Sequence, residues 1–82
     1  MTPLHYNAGQ EVRLGDRVQW GAEGRGQVVV MIAEQTALPD YVAAEWAHLH
    51  EGCMIWVDGI GLFGYDAEGL EQDANLTLLA RA

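Results

Sequence analysis

The chain has 82 residues, half of them apolar, and its twelve carboxylates against four basic side chains give a formal charge of −8 with histidine neutral. One domain spanning 1–82 with a single core is expected at that length, and three Trp, three Tyr and one Phe exclude a disordered chain. The charge argues against any function that tracks a phosphate backbone.

In chain order, Tyr6-Asn7-Ala8-Gly9-Gln10 reads as a turn, with Asn7 and Gly9 able to take positive φ. Val12 and Leu14 alternate with Arg13 as a short strand, and Gly15-Asp16 punctuates it. Arg17-Val18-Gln19-Trp20 alternates polar and apolar, the mark of a half-buried strand. The stretch from Gly21 to Gly26 reads as a loop, and Gln27 to Ala33 as a central strand, apolar on both faces. A helix is expected at about 39–49. Pro39 suits its first turn, Asp40 suits the positive end of its dipole, and Leu38, Val42, Trp46 and Leu49 share one face. Tyr41, Glu45 and His48 form another face, and Gly52 is the stop.

Cys53 to Val57 is a strand, Asp58-Gly59 a hairpin turn, and Ile60 to Tyr65 the returning strand. Gly61 and Gly64 predict a bulge or sharp curvature there. Residues 66–75 read as an acidic loop, and Leu76 to Ala80 as the last strand. The sum is a mainly β fold of five to six short antiparallel strands with one helix inserted, and a small closed barrel accounts for it best, since closure removes exposed edges.

Val12-Arg13-Leu14-Gly15-Asp16-Arg17-Val18 followed by Gly24-Arg25-Gly26-Gln27-Val28-Val29 resembles the opening of SH3-like barrels. A wider set, Tyr6 to Val18 with Glu45-Trp46, Gly61-Leu62 and the terminal Leu76-Thr77-Leu78-Leu79-Ala80-Arg81, resembles a family of small acidic bacterial proteins that act as immunity partners of interbacterial toxins. The resemblance implies an SH3-like barrel and a toxin domain as partner.

Cys53 is the only cysteine, so no internal disulfide can form, which fits a reducing cytoplasm. No basic region followed by an apolar one opens the chain, so no signal peptide is expected. The longest apolar run, Val28 to Ala33, is far short of the ~20 residues of a membrane span. A cytoplasmic protein without a membrane partner is therefore expected, and arginine as the only base, with abundant Ala and Gly, fits a GC-rich bacterial genome.

His48, His50 and Cys53 invite a zinc reading, but the two histidines cannot point the same way on a helix and no fourth ligand is in view, so neither metal nor cofactor is expected. Cys53 beside a histidine could be a nucleophile with its base. Its place at the start of an apolar strand reads instead as a buried, inert thiol. Ser and Lys nucleophiles are absent and no phosphate loop is present, so an enzyme is not expected. Each tryptophan taken singly is assigned to the core, although Trp56 lies on the strand face opposite Ile55 and Val57.

The charge is unevenly spread. Residues 1–32 balance Glu11, Asp16 and Glu23 against Arg13, Arg17 and Arg25, whereas residues 33–82 set nine acids against Arg81 alone and carry the whole −8. Solubility explains part of that. It also points to a module that neutralises a basic protein partner, with Asp40, Glu45, Asp66, Glu68, Glu71 and Asp73 as pairing charges and Tyr41 or Tyr65 as aromatic anchor. The alternatives are an SH3-like module associated with nucleic acid or ribosomes, supported by Arg13, Arg17 and Arg25 but opposed by the net charge, and a structural or oligomerising domain.

Overall fold

The structure is a computed structural model that describes residues 3–81. Six strands, β1 (Arg17–Trp20), β2 (Gly24–Met31), β3 (Thr36–Ala37), β4 (Cys53–Val57), β5 (Gly61–Tyr65) and β6 (Leu76–Ala80), form one antiparallel sheet. Its order is β5-β4-β2-β1-β6, with β3 beside the end of β2. The mainly β expectation is met, but the sheet is open: β5 and β6 end the order and no ladder joins them. A 3₁₀ helix, Ala43–Leu49, precedes β4, and α1, Ala67–Gln72, connects β5 to β6.

The central strand β2 explains the layering. A register shift between Val28 and Val30 inserts Val29 as an extra residue opposite β4, and a bulge bends its strand and re-aims side chains. Val28 therefore joins Val18, Ile55, Val57, Leu70 and Leu76 in the main core, while Val29 and Val30 join Ile32, Ala43 and Met54 in a second one. Both faces of β2 are buried, as its unbroken apolar run requires. The bulge expected at Gly61 or Gly64 is absent, since β4 and β5 pair without a shift from Val57↔Gly61 to Cys53↔Tyr65. Gly61 takes φ 137° just after the turn, and Gly64 leaves room for the Met54 sulfur.

Three further expectations change. The strand at Val12 to Leu14 is not formed. Residues 5 and 11 make only an isolated bridge, because Asp16 folds the chain into a turn in which its side chain accepts from the Arg13 amide (2.8 Å) and its own amide donates to the Arg13 carbonyl (3.1 Å). The loop at Gly21–Gly26 shrinks to residues 21–23, since Gly24 already pairs with Trp20. The helix at 39–49 is a 3₁₀ helix that starts only at Ala43. Leu38 donates to the Val29 carbonyl (2.9 Å) as an extension of the sheet, which withdraws the first turn. With three residues per turn, Ala43 and Trp46 face the second core. Val42 and Leu49, assigned to the buried face, are 57% and 48% exposed.

The acidic loop at 66–75 contains α1. Asp66 caps it by accepting from the Gly69 amide (2.6 Å), Glu68 lies in its first turn, and Leu70, fully buried, anchors it. Asn7 of the N-terminal turn donates to the Glu71 carbonyl (2.7 Å). In that turn Tyr6 and Gln10 pair (2.9 Å), with Gly9 at φ 103°. Gly52 also needs positive φ (103°), and a Cβ there would collide with the Tyr65 carbonyl, so glycine is required where β4 begins beside the end of β5.

Asp16 is fully buried, and its Oδ2 accepts from the Tyr6 hydroxyl (2.7 Å), the Arg13 amide (2.8 Å) and Arg81 Nη1 (2.8 Å). Asp16→Ala should destabilise the fold by about 3 kcal/mol, because buried donors lose their acceptor, and Tyr6→Phe by about 1 kcal/mol, because one hydrogen bond goes. Urea midpoints at unchanged m-value check this. Equal losses in the two variants would contradict a shared acceptor.

Candidate partner-binding surface

The antiparallel order places the end of β2, the start of β4 and the end of β5 at one end of the sheet, where Cys53 pairs with Met31 on one side and Tyr65 on the other. Glu34 follows β2, Glu51 precedes β4 and Asp66 follows β5. All three carboxylates are exposed. Glu51 and Asp66 line a concavity of about 420 Å³ together with Ile32, Leu49, Cys53, Gly64 and Tyr65. The field of Glu34 reaches Cys53 as well. Two acids from two separate segments thus border a partly apolar depression, with Glu34 near Cys53 but outside its lining. Neither Glu34 nor Glu51 stood among the predicted contact residues. Their signal in the sequence was position, just outside the strands that frame the depression.

The predicted contact residues divide into two groups. Asp40 and Glu45 are exposed, without hydrogen-bonded side chains among the described residues, and flank Tyr41. Tyr41 is half-buried against the second core, 6.5 Å from Trp46 between ring centroids. The second group surrounds α1. Asp66 is its cap, Glu68 accepts from Gln72 (3.0 Å), and Glu71 is exposed. Tyr65 and Asp73 serve each other: the Tyr65 hydroxyl donates to Asp73 (3.1 Å) while it accepts from the Trp20 indole (3.0 Å), and Trp20 stacks on Phe63 at 5.2 Å. Burial raises the Tyr65 phenol above its ordinary value, with the Asp73 hydrogen bond adding to it and the Trp20 bond opposing. The Tyr65 hydroxyl is therefore committed within the fold, and only its ring borders the depression.

Among the described residues the only ion pairs are Arg13–Glu11 (3.0 Å) and Arg81–Asp16 (2.8 Å). None of the nine acids from Glu34 to Asp73 has a cationic partner among the described residues, and all but the half-buried Asp73 are exposed.

His48 and His50 are exposed whereas Cys53 is fully buried, so the three do not share a site. No group of three His, Cys, Asp or Glu side chains gathers at metal-binding distance among the described residues, and no helix among them is long and apolar enough to cross a membrane. The Cys53 thiol is pushed up to about 12, by burial first and then by the charges of Glu34 and Asp16, which leaves it protonated and unreactive at neutral pH.

Comparison with known protein families, with curated proteins and with solved structures found no match.

The buried acids make stability sensitive to alkali. Burial, then the hydrogen bond to Asp16, also raises the Tyr6 phenol. Above pH 9 the unfolded chain loses protons that native Cys53 and Tyr6 retain, so it binds fewer protons and stability falls as pH rises. The Cys53 share is whole below its ordinary value of 9.0 and is lost between there and about 12. Urea midpoints from pH 8 to 11 should fall, by up to about 1.4 kcal/mol per pH unit for each group, with a later onset in Cys53→Ala. A flat profile would contradict the burial of both groups.

Proposed function

We propose that this protein is a binding module that neutralises a basic protein partner, and that the partner is the toxin domain of an interbacterial toxin to which this chain confers immunity. The observation that carries the first part is the run of nine acids from Glu34 to Asp73 without a cationic partner among the described residues. Carboxylates left exposed and unpaired keep their hydration and their long-range field until a cationic surface arrives. At the depression lined by Leu49 and Tyr65, Glu51 and Asp66 stand beside apolar surface that excludes water from a docked contact, an arrangement in which charge sets orientation and a few apolar or aromatic groups carry the affinity. A nuclease toxin fits that charge, since its active groove must be cationic to hold a polyanion. The immunity role rests on the sequence resemblance alone.

Stopped-flow association with the product of the adjacent open reading frame tests the reading. Electrostatic steering should make the on-rate fall at least about tenfold between low salt and physiological salt. Glu51→Gln combined with Asp66→Asn, in which the asparagine still caps α1, should lower the on-rate and flatten its salt dependence. A salt-independent rate would remove the electrostatic basis, and failure of the neighbouring product to bind would remove the immunity role.

A further inference from the structure

A second surface carries the opposite chemistry. The outer face of the sheet is only partly covered: the segment through Ala37 and Trp46 packs over Val29, Val30 and Met54. Beyond it, Trp56 pairs with Gln27 of β2, and Gln27 with Arg17 of β1, so the three side chains form one row on that face. Arg25, two residues from Gln27, lies diagonal to both Trp56 and Arg17. Trp56 is 41% exposed although Ile55 and Val57 on either side of it are fully buried, and Leu79 of β6 is 49% exposed. Arg17, Arg25, Gln27, Trp56, Asp58 and Leu79 line a groove of about 410 Å³, in which the two guanidinium groups outnumber the one carboxylate.

The distribution of arginines identifies what fits there. Of the four, Arg13 and Arg81 are paired with carboxylates. Arg17 and Arg25 have no carboxylate partner among the described residues, and both stand in this groove beside an exposed indole. Guanidinium groups bind carboxylates through paired, charge-assisted hydrogen bonds, and an exposed indole takes an apolar side chain. We propose that this groove binds an acidic, apolar-containing peptide segment of a protein, with carboxylates on Arg17 and Arg25 and apolar side chains against Trp56 at one end and Leu79 at the other. A long polyanion would meet the field of the whole −8 chain. A short acidic segment meets mainly the local pair, because charges beyond about 8 Å are screened at physiological salt. This surface is separate from the acidic one and takes a partner of opposite charge.

The test is a titration of the ¹⁵N-labelled full chain with a blocked hexapeptide alternating Glu and Leu. Shifts should concentrate on the Trp56 indole and on the backbone and side chains of Arg17, Arg25 and Gln27. Arg17→Gln with Arg25→Gln, both exposed, should weaken binding by about tenfold or more, the factor expected for loss of a charge-assisted contact. The same peptide with Lys for Glu should leave the groove unchanged. Absence of shifts at millimolar peptide overturns the proposal, as do equal shifts with the Lys peptide or shifts confined to other surfaces. Stronger perturbation by a ten-residue oligo-dT would assign the groove to nucleic acid instead. Concentration-dependent self-association that blocks the peptide would assign it to a second copy. Either result also overturns the peptide reading, and the wild-type titration decides the matter even where a variant fails to fold.

Discussion

The fold depends on one carboxylate oxygen. Oδ2 of Asp16 gathers the Tyr6 hydroxyl, the Arg13 amide and the Arg81 guanidinium, while Oδ1 is buried without a partner among the described residues. Among residues 3–16 the isolated bridge of His5 with Glu11 is internal to the segment, so this acceptor, together with buried Leu4, Tyr6 and Val12, joins the start of the described chain to the end of its last strand. A buried carboxylate is tolerated only with such donors around it. Arg81 also donates to the Glu11 carbonyl (2.6 Å), a second tie between the N-terminal segment and the end of the last strand. The backbone of Asp16 takes part as well: its carbonyl accepts from Val28 (2.9 Å), and this continues the β1–β2 pairing into the turn.

That pairing leads to the bulge in β2, which decides how the outer face is divided. An unbroken apolar strand must bury both sides, and the extra residue at Val29 turns the end of β2 toward a second core. The 3₁₀ helix closes that core through Ala43 and Trp46 but does not extend over Trp56. Gln35 holds it in place by donating to the carbonyls of Ile32 (2.8 Å) and Ala43 (3.3 Å). A short cover on a wider sheet leaves a strip with an exposed indole, and this strip is where the two arginines without ion pairs among the described residues lie.

Strands with strong alternation or β-branched runs were legible from sequence. β1 and β6 have the predicted bounds, and Asp58-Gly59 marks the β4–β5 hairpin. Elements governed by a single long-range contact were not. The first turn of the predicted helix at 39–49 is lost to one hydrogen bond from Leu38 to β2, and α1 has one buried apolar residue, too few to produce a period. Asp16 read as punctuation because its partners lie 10 and 65 residues away. The location of the negative charge after residue 33 was legible, but which acids meet was not, since that follows from strand order. Glu51 meets Asp66 at one depression only because β4 and β5 are neighbours.

The proposed binding of a basic partner therefore rests on charge placed by topology. Amide hydrogen exchange on the protein, free and saturated with the product of the adjacent reading frame, tests it most directly. The account predicts added protection at residues 49–53 and 64–69, around the acidic depression, with β1 unchanged. Protection confined to β1 and the neighbouring half of β2, with the acidic end unaltered, would contradict it.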